Sequence, residues 1–242
     1  MFRLDLHENC LQPVQKVSFS ELNLRERCHL QEWLAKHPNA LTDDNVDDEL
    51  LIIQKEFSGF SDTNERLDLL AIDKKGNLVI IENKLDDSGR DVVWQAIKYT
   101  GYCSSLNKAQ IVSIYQDFLN KQQCEQKRDA AEVLADFLER DSLDEVVLNA
   151  AQSQRVILVA ARFRKEVTNT ALWLMGFGLR IQCFCITPYK METEILLDIR
   201  QIIPPPEAEE YMINISEKEK EEQKNRRERA PHTHPSLSSS VK

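Results

Sequence analysis

Two apolar runs, Leu67-Asp68-Leu69-Leu70-Ala71-Ile72-Asp73 and Leu78-Val79-Ile80-Ile81-Glu82, stand either side of Lys74-Lys75-Gly76-Asn77 and constrain this chain more than any other stretch. Each run is of strand length, and the break between them reads as a hairpin turn. Asp73 suits the first position of a type I turn and Gly76 a residue of positive φ, which predicts a three-residue loop from Lys74 to Gly76. With Asp73 opposite Asn77, Asp68 falls opposite Glu82 and Arg66 opposite Lys84. Directly opposed residues share a face of the sheet, with Cβ atoms roughly 5 Å apart. Runs this apolar belong inside the molecule, where an acid needs a partner.

Two carboxylates at that separation repel unless a cation lies between them or one holds a proton. A hard divalent ion such as Mg²⁺ takes oxygen ligands from one or two carboxylates, with water and phosphate completing the shell, and the pair meets those needs. Lys84, two residues beyond Glu82, points the same way because strand side chains alternate. There it would orient an attacking water or offset charge on a phosphate. An acid, a base and a hairpin also come together in ordinary cross-strand ion pairs, so both readings stand at this point.

The hairpin residues and the helix predicted after them resemble the PD-(D/E)XK nucleases, in the RecB-like branch of the restriction-endonuclease-like fold. Asp68 matches the metal-binding aspartate, and Glu82-Asn83-Lys84 matches the E-x-K triplet. Gln95-Ala96-Ile97-Lys98-Tyr99 matches the Q-x-x-x-Y element on the helix after the hairpin. Gln95 and Tyr99, four apart, share a helix face, and Ser88-Gly89-Arg90-Asp91 is expected to cap that helix with a capping box. Leu67 stands where the family name has proline. The resemblance covers roughly Leu24 to Tyr189 and is strongest between Arg66 and Tyr102. It implies Mg²⁺, or Mn²⁺ in its place, held by Asp68, Glu82 and the carbonyl of Asn83. Lys84 would position the water, while Gln95 and Tyr99 hold the lysine or the scissile strand. Many members carry a further glutamate on a preceding helix. Glu26 matches it here, at the head of an apolar stripe with Leu30 and Trp33, as a metal ligand or else as a complement to the helix dipole. Arg66, Arg90 and Lys98 are expected to bind substrate, with a structural ion pair the other reading of Arg66.

The implied activity is a Mg²⁺-dependent deoxyribonuclease acting on DNA, an endonuclease for preference, with exonuclease action, RNA and strandedness left open. Double-strand cutting would favour a homodimer. The alternative is a non-catalytic nucleic-acid-binding or assembly module that retains the nuclease fold. The formal net charge of −9 favours that alternative. From Glu207 onward there are eight acids and seven bases, a net of −1, so −8 lies before it. Phosphate binding draws on Lys and Arg, so positive surface has to be local. Lys74, Lys75, Arg90, Lys98, Arg162, Arg164 and Lys165 are the candidates.

At 242 residues and 42% hydrophobic content the chain supports one sizeable domain over residues 1–203, with an N-terminal extension. Pro204-Pro205-Pro206 marks a boundary, and 204–242 reads as a charged helix and disordered tail in which His232 and His234 are incidental. No apolar run reaches the roughly 18 to 20 residues of a membrane span, and no signal-peptide pattern opens the chain, so a cytoplasmic protein without membrane partners is expected. Six cysteines without a C-x-x-C pair fit a reducing compartment. Cys183 and Cys185 read as core packing rather than cluster ligands.

Residues 108–149 read as mostly helical, 155–161 as a buried strand, 166–177 as a helix and 180–186 as a strand. A strand-helix-strand unit of that length favours a right-handed parallel crossover. Residues 50–57 add a strand and 11–17 an edge strand, limited by Pro13. The acidic run from Asp43 to Glu49 reads as a loop, not a calcium site. The expected fold is α/β, a restriction-endonuclease-like mixed central sheet flanked by helices.

Overall fold

A computed structural model describes residues 1–42, 48–60, 65–122 and 128–205. By contacts the chain divides into Met1–Pro204 and Pro205–Lys242. The charged segment after Pro206 with its histidine pair, and most of the acidic run after Thr42, lie outside the described residues.

The hairpin forms as its sequence predicts. β5 (Leu67–Asp73) and β6 (Leu78–Asp87) pair antiparallel, with rungs from Ile72/Leu78 to Leu69/Ile81. The Gly76 N–H donates to the Asp73 carbonyl at 2.9 Å and the Asp73 N–H to the Asn77 carbonyl at 3.0 Å. Gly76 has φ +78°, and a Cβ there would lie 3.1 Å from the Val147 carbonyl oxygen, so the turn requires glycine on two counts. All of β5 is buried, as its unbroken apolar character demands.

Around this hairpin lies a mixed seven-stranded sheet. Its order is β3 (Gln15–Lys16), β8 (Arg180–Met191), β7 (Arg155–Arg162), β6, β5 and β4 (Leu50–Phe57), with β9 (Glu194–Ile203) also paired to β8. β6, β7 and β8 run parallel, and α5 (Lys165–Met175) connects β7 to β8, as the strand-helix-strand pattern predicts. A short helix α1 (Gln31–Lys36) continues a π-helical turn, Glu26–Leu30. α2 (Val92–Ser104), α3 (Lys108–Lys121) and α4 (Ala130–Phe137) complete the layers flanking the sheet. One core unites the hairpin with Leu30, Leu34, Ile111 and Leu134; another packs Val92 and Ala96 of α2 and Val167 and Ala171 of α5 on Val156, Leu158 and Ile181. Cys183 packs in that second core, and Cys185 donates through Sγ to the Ala161 carbonyl. The mixed α/β sheet flanked by helices is therefore the architecture found. No helix of the described residues is long and apolar enough to cross a membrane.

Local departures have identifiable causes. The strand expected over 11–17 breaks at Val14 into β2 (Cys10–Pro13), which forms a separate ribbon with β1 (Phe2–Asp5), and β3 at the sheet edge. Pro13 lacks the N–H that would continue a ladder. The helical stretch expected to reach Asn149 ends at Phe137, followed by turns. α2 starts without the expected capping box. Its N-cap, Asp91, makes no side-chain cap bond, and the Ser88 hydroxyl is engaged with the Gly89 carbonyl and the Arg164 N–H. β4 carries one extra residue at Ile53, a bulge that shifts its pairing with β5 between Ile52/Ala71 and Gln54/Leu70.

At the closed end of the hairpin Asp73 is a buried acid whose charge is fully matched. Its oxygens accept from the Lys75 N–H, the Asn77 N–H and the Asn77 amide, and Arg155 approaches to 3.3 Å. Arg155 in turn bonds Asp48 at 2.7 Å and Gln182 at 2.7 Å, tying the turn across the sheet. Removing one partner of a buried pair strands the other. Asp73→Ala is expected to lower the unfolding free energy by about 3–5 kcal/mol, read as a fall in the urea midpoint.

Candidate active site

The open end of the same hairpin treats its acids differently. Ladder bonds alternate, and counting from the Asp73/Asn77 rung through Ala71/Val79 and Leu69/Ile81, the one that follows would join Leu67 to Asn83. Instead the Asn83 N–H donates to Asp68 Oδ2 at 2.9 Å, and the Asp68 carbonyl accepts from the Gln31 amide at 3.1 Å. The β5–β6 ladder ends at Leu69/Ile81, one residue before Asp68 and Glu82. Both side chains are buried, and Glu82 Oε1 has no hydrogen-bond partner among the described residues. The Asn83 amide is also buried without a partner.

Burial is the main cause that lifts the Asp68 carboxyl above its ordinary range, with Asn83 and Lys84 opposing it and Glu26 and Glu56 adding to it. Burial likewise lifts Glu82, reinforced by the charge on Asp68 and opposed by Lys84. Two acids that resist ionisation side by side have the electrostatics that a bound cation would relieve.

One concavity is lined by Glu26, Arg27, Glu65, Arg66, Asp68, Glu82, Lys84, Gln95 and Tyr99. The helix turn from Glu26 delivers its carboxylate to the Leu85 N–H at 3.1 Å and to Lys84 Nζ at 3.7 Å. Lys84 Nζ also lies 3.9 Å from Glu82 Oε2. Gln95 and Tyr99 enter from α2 on one face, as their spacing predicts. Tyr99 is buried against Phe60, ring centroids 5.1 Å apart, and burial with the nearby Glu82 charge raises its phenol, which keeps it a proton donor. Arg66 lies 4.0 Å from Glu56, and Lys98 pairs with Glu65 at the rim and sits over the Tyr99 ring. Arg90 is exposed and does not line the concavity.

Other expected phosphate contacts are already engaged. Arg162 and Arg164 both bind Asp87, at 3.0 and 2.5 Å, and Arg164 above all, with the Gly89 N–H and Arg162, lowers that carboxyl to about 2. Lys74 pairs with Glu49 and Glu139. Sequence reasoning missed Arg27, Glu56, Glu65 and Gln31. Arg27 could have been found as the neighbour of Glu26, whereas Glu56 depends on the bulge, for which no local signal exists.

Among the described residues, no group of three or more His, Cys, Asp or Glu side chains is arranged to hold a metal. Mg²⁺ commonly needs only one or two carboxylates from the protein. Two buried carboxylates, one with an oxygen that nothing satisfies, fit such an ion, while Glu26 serves Leu85 and Lys84.

A carboxyl whose folded-state pKa is raised adds stability below its unfolded-state pKa and loses it as pH rises through the folded one. Asp68 goes from 3.8 to about 6 and Glu82 from 4.5 to about 8. In chelator, stability is therefore expected to fall from about pH 4 to about pH 8. Glu82→Gln should flatten that fall and stabilise the metal-free protein by roughly 2 kcal/mol at the alkaline end, measured by urea unfolding across pH.

No family model matches the sequence, and no curated protein matches it. Among solved structures the chain is similar to the crystal structure of a repair endonuclease from Pyrococcus abyssi, at 15% identity and a TM-score of 0.30. The match covers 65% of this chain and 46% of that one, so the chain spans less than half the length of the structure it resembles.

Proposed function

We propose that the chain is a metal-dependent nuclease that hydrolyses DNA phosphodiester bonds at the Asp68–Glu82 site. The observation that carries this reading is the pair of buried carboxylates, short of hydrogen-bond donors, beside a lysine. Asp68 and Glu82 would hold Mg²⁺ or Mn²⁺, with the Asn83 carbonyl a further ligand. When bound, the ion supplies charge stabilisation at the phosphate and lowers the pKa of water.

The protein's own groups supply orientation. Glu26 and Glu82 flank the Lys84 ammonium, which can donate to an attacking water or to a phosphate oxygen. Gln95 offers an amide from α2 into the same concavity, and Tyr99 a phenol that stays protonated. Water adds to phosphorus as the bond to the 3′ oxygen breaks, and the leaving oxygen takes a proton. The acidic net charge favours the second reading, a module that binds nucleic acid or assembles with partners without turnover.

Cleavage of labelled linear, circular, single-stranded and branched DNA by wild type and Lys84→Ala, in Mg²⁺, Mn²⁺ or EDTA, separates the two readings. Metal-dependent cutting that Lys84→Ala lowers by about 10²-fold or more supports the nuclease. DNA binding without cutting of any form supports the module. Mg²⁺ is expected to raise the Tm of wild type but not of Asp68→Asn, measured by thermal shift, because only a site that binds in the folded state is stabilised by its ligand.

A further inference from the structure

Glu56 combines three features that an ordinary strand residue lacks. Its φ is +50°, in the left-handed region that a non-glycine residue enters at a cost. Both carboxylate oxygens are enclosed, and neither accepts a hydrogen bond from the described residues. They lie instead beside two guanidinium groups, Arg27 Nε at 3.3 Å and Arg66 Nη1 at 4.0 Å, from separate elements. After the bulge, Lys55 pairs with Leu69 and Phe57 with Leu67, so Glu56 falls across from Asp68.

Both arginines line the concavity that holds Asp68, Glu82 and Lys84, and both are largely exposed, at 67% and 54% of their side chains. A carboxylate in a strained backbone, left without hydrogen bonds and set between two exposed guanidinium groups, stabilises the fold poorly. It is well suited to holding the pair in one orientation. Guanidinium groups recognise phosphate through paired N–H donors, and holding two together lowers the ordering cost of gripping an anion.

We infer that Arg27 and Arg66 form a phosphodiester-binding subsite beside the carboxylate pair, with Glu56 as the positioning residue that aims them. The subsite takes a backbone phosphate next to the one that reacts, and so rests on the nucleic-acid reading of the site. Glu56 touches no substrate; it acts through the arginines.

The test is fluorescence anisotropy, in EDTA and in Ca²⁺, with a labelled oligodeoxynucleotide, single-stranded and duplex, over a range of salt. Arg27→Ala and Arg66→Ala are each expected to weaken binding about tenfold and make the single-strand salt slope shallower by about 0.7. Arg27→Lys and Arg66→Lys, which keep the charge and lose the fork, should recover only part of the affinity. Glu56→Gln and Glu56→Asn carry the decisive sign. Each removes a negative charge from beside the site, so a long-range field effect would tighten binding, whereas loss of aim weakens it. Asparagine tolerates left-handed backbone, so Glu56→Asn should hold or raise Tm while weakening binding, a separation that a merely structural role would not give.

Unchanged or tighter binding by folded Glu56→Asn overturns the positioning role, and unchanged binding by both arginine-to-alanine variants overturns the subsite. Wild type that binds no DNA overturns the subsite and the nucleic-acid reading together. Binding that depends on the arginines in a protein that cuts nothing leaves the subsite standing and removes only the nuclease.

Discussion

The structure depends on how unequally one hairpin satisfies the buried acids at its two ends. Three acids of that hairpin are buried, Asp68, Asp73 and Glu82. Asp73 receives three hydrogen bonds within the turn and the Arg155 guanidinium, the full complement a buried carboxylate needs. Asp68 receives the Asn83 N–H, and Glu82 Oε1 receives none. The same two strands thus contain an acid that anchors and a pair that strains. The apolar length of β5, the Arg155 tie across the sheet and the glycine turn hold the pair in a place it would not otherwise occupy. Such local conflict between a residue and its surroundings is where function concentrates.

Much of this was legible in the chain because the relevant information is local. A type I turn with glycine at its left-handed position fixes the loop, the loop fixes the register, and the register brings Asp68 towards Glu82. A four-residue step puts Gln95 and Tyr99 on one face of α2, and an apolar strand, a helix and a second strand give the parallel pair β7 and β8. The rest depends on contacts distant in sequence. Ser88 was free to cap α2 in sequence terms, but the Arg164 N–H engages its hydroxyl in the folded chain. Arg162 and Arg164 look like phosphate ligands until Asp87, on a neighbouring strand, is seen to hold both. β9 was missed although Ile195, Leu196, Leu197, Ile199, Ile202 and Ile203 make it an apolar run of strand character.

The electrostatic balance arises from those pairings. Several cations that a strongly acidic protein would need for attracting phosphate are committed to its own carboxylates, as with Lys98 on Glu65, Lys74 on Glu49 and Glu139, and Arg162 and Arg164 on Asp87. Long-range attraction of a polyanion by this surface is therefore weak. Within the concavity Arg27, Arg66 and Lys84 stand against Glu26, Glu65, Asp68 and Glu82, with Glu56 between the two arginines.

The bulge at Ile53 acts as a reading frame for charge. With the extra residue, β4 sets Glu56 across from Asp68, and Lys55 is turned to Glu32, 2.7 Å away. Without it, the register of Leu50 to Ile52 would continue unbroken and bring Lys55 across from Asp68. A cross-strand ammonium would then neutralise the aspartate, and the strained, anionic site would become an ordinary salt bridge in a quieter and more stable sheet. A single inserted residue on the neighbouring strand thus sets the polarity of this site as firmly as the identity of the acids themselves.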